Sequence, residues 1–281
     1  MAATPLEIGL AALLGLLVGS FLNVVIHRLP RMLERRWAQE VAAHQEQGAV
    51  DVVPDDDPHY NLVHPRSACP ACGHVLRWHE NIPVVSWLLL RGRCSACRHR
   101  ISVRYPLVEL ATAALFAFAA ARWGLGGAGA AWAAFGSALL ALALIDWDTT
   151  LLPDDLTLPL TWGGLLASAQ GWTGVPLEVA VWGAVAGYLF LWGVFHGFRL
   201  LTGKEGMGYG DFKLLAALGA WFGWQSLLAL VLIASISGLL VALALLWRKQ
   251  LPENRQIAFG PYLALAGAWL LFMGTPRLLM V

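Results

Sequence analysis

Two aspartates at the borders of apolar runs are the residues of this sequence best suited to catalysis. Asp146 ends the apolar stretch 141–145, and Asp211 follows the glycine-rich stretch 206–210 and opens the next apolar run. A carboxylate among apolar residues is costly to bury alone, so it needs a partner or a function. We therefore expect Asp146 and Asp211 to face each other near a membrane surface.

A carboxylate pair of this kind suits peptide hydrolysis. Two carboxylates within hydrogen-bonding distance cannot both ionise easily, so one keeps a proton while the other acts as a base. The base takes a proton from water, the water attacks the peptide carbonyl, and the acid donates to the carbonyl oxygen. The pair titrates as a unit, and the sequence does not say which aspartate is the base. Membrane acids also line ion and proton paths, so a carboxylate-lined transporter is the competing hypothesis, and a non-catalytic scaffold is a third.

Several neighbouring residues are candidates for supporting this chemistry. Gly208 and Gly210 make the backbone before Asp211 tight and poorly helical. Asp148 lies two residues after Asp146 and would point away from it on a helix, so it serves only if the helix ends there. Lys204 precedes Glu205 in the same loop, where we expect a solvated pair.

Glu109 lies about one turn inside another apolar run. An acid in this position either pairs with a cation, for which Arg104 is the nearest candidate, or lines a polar cleft. We expect it to support the site without taking part in catalysis.

Four cysteines form two pairs with the spacing C-x2-C-x21-C-x2-C, which is close to that of a zinc ribbon. These are Cys69, Cys72, Cys94 and Cys97. Each C-x2-C makes a knuckle that directs two thiolates at one ion, and two knuckles complete a closed tetrahedral site, which is structural. Disulfides and free thiols are the alternatives, and the reducing cytoplasm disfavours disulfides.

The composition is that of a membrane protein. The chain has 281 residues, 58% of them hydrophobic and 13% charged, whereas soluble domains carry about a quarter charged residues. We predict about eight transmembrane helices in an all-α polytopic fold. The apolar runs lie at about 8–26, 106–122, 128–147, 156–171, 176–198, 211–224, 226–247 and 258–276.

Positive charge is concentrated in one interval. Eleven of the 19 Lys and Arg residues fall within residues 28–104, which predicts that this loop is cytoplasmic. With eight spans, Asp146 and Asp211 emerge on the same cytoplasmic side. The net charge of +1 favours no particular partner, and we expect no nucleic acid. We divide the chain into a first transmembrane helix (1–29), a cytoplasmic zinc-binding domain (30–104) and a multi-helix membrane peptidase domain (105–281).

The first of these helices is expected to remain in the protein. The segment before the 8–26 run contains Glu7 and no Lys or Arg, unlike a cleavable signal peptide. Asn23 and His27 share one helix face and either make polar interhelical contacts or bind a cofactor. We expect Pro30 to end the helix and a short amphipathic helix to follow at about 31–46.

In their order along the chain, these motifs resemble the bacterial type IV prepilin leader peptidases, also called prepilin peptidase/N-methyltransferases. The resemblance runs nearly end to end. It rests on Gly19-Ser20-Phe21-Leu22-Asn23, His27-Arg28-Leu29-Pro30, the two cysteine pairs, Tyr105-Pro106-Leu107-Val108-Glu109-Leu110, Ile145-Asp146-Trp147-Asp148, Leu152-Pro153-Asp154, Leu156-Thr157-Leu158-Pro159, Thr202-Gly203-Lys204-Glu205-Gly206-Met207-Gly208-Tyr209-Gly210-Asp211 and Phe259-Gly260-Pro261-Tyr262.

The resemblance implies an intramembrane aspartic peptidase of the G-x-G-D type, with Asp146 and Asp211 as its catalytic residues. Such enzymes cut the short basic leader from prepilins and pseudopilins at the cytoplasmic face of the inner membrane. Many then methylate the new N-terminal amine with S-adenosylmethionine. The family's cysteines hold zinc, and the long loop is credited with methyl transfer. Residues 28–104 contain no glycine-rich nucleotide fingerprint, so we assign no cofactor-binding residues.

Overall fold

The computed structural model describes residues 3–44, 60–204, 206–248 and 258–274. Within these ranges the chain is helical, with isolated β-bridges but no strand. The helices are α1 (Pro5–His44), α2 (Val85–Leu89), α3 (Arg104–Trp123), α4 (Gly127–Thr149), α5 (Asp154–Ala169), α6 (Leu177–Thr202), α7 (Tyr209–Phe222), α8 (Leu227–Trp247) and α9 (Gly260–Met273), with short 3-10 helices at Trp78–Asn81 and Trp224–Ser226. The prediction of an all-α polytopic protein is confirmed.

Each of the eight apolar runs contains a helix, but the helices differ in length. Five described segments are long and apolar enough to cross a membrane: Pro5–His44, Arg104–Trp123, Gly127–Thr149, Leu177–Thr202 and Trp224–Trp247. Helices α5, α7 and α9 have 16, 14 and 14 residues. At about 1.5 Å per residue they are shorter than a hydrocarbon core of about 30 Å.

The chain forms two compact units, Thr4–Phe118 and Ala119–Val281 with Met1–Ala3. We call them the N-terminal and C-terminal units. In the N-terminal unit, α1 packs closely on α3 through two glycines. A Cβ on Gly15 would lie 2.7 Å from Ala113 Cα, and one on Gly19 would lie 2.7 Å from Glu109 Cα. Small residues at such contacts let helix backbones approach each other.

The prediction that Pro30 ends the first helix is wrong. Helix α1 runs through Pro30 for 40 residues, and the helix expected at 31–46 is its continuation as far as His44. Proline removes one intrahelical hydrogen bond, but Ile26, Leu29 and Pro30 are buried, and burial of these side chains offsets that loss. At about 60 Å, α1 is longer than a bilayer core and extends beyond it.

The C-terminal unit is built around α7. Every residue of this helix from Leu214 to Phe222 is buried, as expected for a helix that is apolar on all sides. Helix α6 crosses it where Gly183 and Gly219 meet backbone to backbone, and a Cβ on Gly187 would lie 2.7 Å from the carbonyl oxygen of Leu215. This core fixes the position of the N-terminal turn of α7, which carries Asp211.

Candidate active site

Asp146 is presented by the last turn of α4. Its side chain is only 4% exposed, and its carbonyl accepts the Thr150 N–H at 2.8 Å where the helix ends. Because α4 continues to Thr149, Asp148 still has helical geometry and is exposed. The structure therefore separates Asp148 from the buried face that carries Asp146.

Asp211 is presented by the first turn of α7, as its third residue. Gly208 is the N-cap, with an extended backbone (φ −85°, ψ 152°). The helix dipole favours negative charge in this first turn. Asp211 is 6% exposed, so this stabilisation acts away from solvent.

Two glycines allow the neighbouring backbones to close around the aspartates. A Cβ on Gly210 would lie 2.6 Å from Leu152 Cβ. A Cβ on Gly260, at the start of α9, would lie 2.5 Å from Asp146 Oδ2 and 3.0 Å from Leu152 Cδ1. Leu152 thus lies against both glycines: Gly210, which precedes Asp211 in the sequence, and Gly260, which is close to the Asp146 carboxylate in space. In the sequence, Gly260 and Leu152 are recognisable only as members of family motifs, Phe259-Gly260-Pro261-Tyr262 and Leu152-Pro153-Asp154, without a role in the site. The signal for Gly260 is its motif at a helix start.

The two carboxylates are electrostatically coupled. The charge of Asp146 acts on Asp211, and Gly260 at the start of α9 lies close to the Asp146 carboxylate. Asp146 Oδ2 is buried and has no hydrogen-bond partner among the described residues. Buried polar atoms are nearly always paired, so an unsatisfied carboxylate oxygen beside a second carboxylate is a candidate contact for water or substrate.

An ion pair lies next to Asp211. Lys213 Nζ donates to both carboxylate oxygens of Asp154 at 2.7 Å, linking α7 to the first turn of α5. The Lys213 and Asp154 side chains are 29% and 53% exposed, so the pair contributes little stability.

The other predicted supporting residues have different surroundings. Lys204 is exposed after α6, and its N–H donates to Thr202 Oγ1 at 3.3 Å; its predicted partner Glu205 lies outside the described residues. Glu109 is buried in the N-terminal unit, where its Oε2 accepts the Val84 N–H at 2.7 Å.

The four cysteines form the cluster that their spacing predicted. They form no disulfide, and their sulfur atoms all lie within 4.8 Å of one another. The Sγ–Sγ distances are 3.7 Å for Cys69–Cys97 and 4.0 Å for Cys72–Cys94. Four sulfurs at about 2.3 Å from one zinc ion would be about 3.8 Å apart. The donor set and its geometry are therefore compatible with zinc.

The knuckle backbone favours thiolates. The Ala71 N–H is the main cause that lowers the pKa of Cys69 to about 7. The His74 N–H lowers the pKa of Cys72, but hydrogen bonds with other thiols, led by Cys97, and burial raise it to about 12. Because a metal ion binds thiolates, metal binding would release the protons of these thiols.

Comparison with known proteins identifies the family. Residues 13–123 match the bacterial peptidase A24 N-terminal domain, and residues 133–243 match the type IV leader peptidase family. Proteins named prepilin leader peptidase/N-methyltransferase are similar along nearly the whole chain. One from Burkholderia pseudomallei (strain 1026b) is 53% identical over 99% of this chain and 89% of its own length.

The chain belongs to the type IV leader peptidase family. Relatives with the same name from Aeromonas salmonicida (strain A449) and Pseudomonas aeruginosa are 51% and 50% identical, over 93% and 95% of this chain and 89% and 91% of their own lengths. No solved structure matches the chain. The first family segment of this leader peptidase contains the cysteine cluster, and the second contains both aspartates.

This leader peptidase also contains a cavity of about 630 Å³ in its C-terminal unit, away from the aspartates. Its lining includes Trp132, Trp221 and Phe222. Trp132 lies near the start of α4, about 20 Å along the helix from Asp146. The cavity is therefore distinct from the carboxylate pair.

Proposed function

We propose that this protein is a membrane-embedded aspartic endopeptidase that removes the leader from prepilins and pseudopilins and then methylates the new N-terminus. The observation that carries the peptidase is the buried, electrostatically coupled pair Asp146 and Asp211. The relatives' name, prepilin leader peptidase/N-methyltransferase, supports the substrate class and both activities. Nothing in those names supports the transporter alternative.

The hydrolytic step needs one proton shared between the two aspartates. The ionised aspartate takes a proton from a water molecule as its oxygen bonds to the scissile carbonyl carbon, and the protonated aspartate donates to the carbonyl oxygen. Collapse of the tetrahedral intermediate breaks the C–N bond, and the leaving amine receives a proton. The leader then ends in a carboxylate, and the mature protein begins with an amine.

The surrounding backbone encloses this pair. Gly260 at the start of α9 lies close to the Asp146 carboxylate, and Gly208 is the N-cap of the helix that carries Asp211. Asp146 Oδ2, which lacks a protein partner among the described residues, is where we propose that the attacking water or the substrate carbonyl binds.

Zinc is proposed as a structural ion held by Cys69, Cys72, Cys94 and Cys97. Four thiolates complete a tetrahedral site without an open position, so the ion would stabilise the two knuckles and take no part in bond cleavage. We propose that residues 30–104 form this zinc-bearing domain and serve methyl transfer, that residues 1–29 form the first span, and that residues 105–281 form the peptidase domain.

The methyl donor is proposed to be S-adenosylmethionine, because the relatives' name includes N-methyltransferase. We assign no residue to it.

The family and the membrane-length helices make this a multi-pass inner-membrane protein. We propose that the aspartates face the cytoplasm, because eleven of the 19 basic residues lie in the 28–104 interval that follows the first span.

Purified protein in lipid, a synthetic prepilin and S-adenosylmethionine test the proposal through the intact mass of the product. We expect loss of the leader and gain of one methyl group. Asp146→Asn and Asp211→Asn should each abolish cleavage, since neither leaves two ionisable groups to share one proton, while the fold is retained.

Asp148→Asn is the matched control, because Asp148 lies on the same helix and is exposed; it should cleave normally. Cleavage by either of the other two single variants would refute the aspartic mechanism. Loss of the leader without methylation would retain the peptidase and remove the methyltransferase.

A further inference from the structure

An exposed apolar surface lies in the part of the N-terminal unit between α1 and α3. We call it the 78–89 face. Its largest members, Trp78 and Leu89, are 79% and 78% exposed. The others are Ile82, Val85 and Leu88. So many large apolar side chains within twelve residues are unusual for a surface in contact with water and mark an interaction site.

The backbone that carries this face is held in an uncommon conformation. Val84 has φ 60° and ψ −48°, and the Val85 N–H donates to the Pro83 carbonyl at 2.6 Å. This is a γ-turn with positive φ, which is rare and strained, above all for a β-branched residue. The Val84 N–H donates to Glu109 Oε2 at 2.7 Å. A buried carboxylate therefore fixes the turn from which α2 begins.

The carboxylate that fixes this turn, Glu109, lies at membrane depth. Glu109 is the sixth residue of α3, one of the helices able to cross a membrane. Its Cα would lie 2.7 Å from a Cβ on Gly19 of α1. Gly19 is seven residues before the end of the apolar run at Ile26, about 10 Å inside it. The turn at Val84 is thus bonded to a residue below the membrane surface, and an outward-facing apolar side chain near that level meets lipid.

The charge around the face indicates which lipid it meets. Residues 60–104 contain seven arginines and one carboxylate, Glu80, an excess of six positive charges that zinc on four thiolates would lower to four. Arg77, Arg91 and Arg93 flank the face and are exposed. Apolar side chains bordered by arginines suit a bilayer with anionic headgroups. The same arginines would repel a basic peptide.

We propose that the 78–89 face is a membrane-docking surface that inserts its apolar side chains into an anionic lipid leaflet, with Glu109 and the Val84 turn holding it at that depth. The docking fixes the cysteine knuckles on either side of the face relative to the bilayer. It does not depend on the proposed peptidase or methyltransferase activity.

Site-specific photo-crosslinking tests the proposal on the full chain. The photoreactive residue p-benzoyl-phenylalanine replaces Leu89, which is exposed and tolerates a large group. The protein is reconstituted in phosphatidylcholine vesicles with or without phosphatidylglycerol, and prepilin is added. We expect an adduct with the mass of a phospholipid. Arg77→Gln and Arg91→Gln should each lower the ratio of protein with a docked face to protein with an undocked face about fivefold, because each removes one basic residue near an anionic surface.

Gln39 is the control position. It is exposed on α1, thirteen residues and about 20 Å beyond Ile26 on the polar side, so it should form no lipid adduct. A prepilin adduct at Leu89, absence of any adduct there, or equal lipid adducts at both positions would overturn the docking proposal. Equal yields with and without phosphatidylglycerol would overturn the preference for anionic lipid.

Discussion

Gly260→Ala tests whether the close approach of α9 positions the Asp146 carboxylate. The added Cβ would lie 2.5 Å from Asp146 Oδ2 and 3.1 Å from its Cγ. A normal contact between carbon and oxygen needs about 3.3 Å, so the carboxylate or the start of α9 must move by about 0.8 Å. A displacement of about 1 Å in a catalytic group can cost about a hundredfold in rate. We therefore expect kcat/KM for leader cleavage to fall by about that factor.

The effect on stability should be smaller than the effect on activity. Overpacking costs about 1–3 kcal/mol, and alanine recovers up to about 1 kcal/mol of helix propensity. Gly163→Ala is the control, because its Cβ would meet only Trp221 Cζ2, at an ordinary 3.7 Å. It should keep full activity. Initial rates by product mass and thermal unfolding in the same detergent measure both effects.

Leu152→Ala separates the two clashes at Gly260. This change removes Leu152 Cδ1, which would lie 3.0 Å from the new Cβ, but it leaves the contact with the Asp146 carboxylate. The double variant should therefore remain as slow as Gly260→Ala alone. Recovery of cleavage in the double variant, or full activity of Gly260→Ala itself, would refute the conclusion that Gly260 positions the carboxylate.

Three further predictions concern the cluster and the core. Cys72→Ser should lose bound zinc, because a hydroxyl does not replace a thiolate ligand; retention of stoichiometric metal by elemental analysis would defeat the four-thiolate site. Gly183→Ala should lower the free energy of unfolding by at least about 1–3 kcal/mol, because its Cβ would meet the Gly219 carbonyl oxygen, a backbone atom. The control is Gly193→Ala, whose Cβ would have nothing within 4 Å and which should be neutral or stabilising. Arg98→Gly should stabilise the second knuckle by up to about 1 kcal/mol, because Arg98 has φ 62°, a conformation that glycine adopts without strain; a lower unfolding temperature would contradict this.

The sequence predicted the positions of helices and of the metal-binding thiols better than it predicted contacts between helices. Apolar runs identify membrane helices because the bilayer requires about twenty apolar residues, and C-x2-C pairs identify a knuckle because the ligand spacing is local. Pro30 was misjudged because burial in α1 outweighs the local preference of proline. The γ-turn at Val84 had no local signal, since valine disfavours positive φ and the turn is sustained by a long-range hydrogen bond from the Val84 N–H to Glu109.

The geometry around the aspartates also explains why glycine stands where it does. Asp146 lies at the C-terminal end of α4, where the helix dipole disfavours negative charge, whereas Asp211 lies in the first turn of α7, where the dipole favours it. The start of α9 supplies a compensating helix N-terminus to Asp146 at Gly260, and only a residue without a Cβ can come so close to the carboxylate. Asp211 has the N-terminal turn of its own helix, which begins after Gly208. Each aspartate therefore lies at a helix N-terminus, one local in sequence and one not. That difference is why the G-x-G-D motif was readable from the sequence and the role of Gly260 was not.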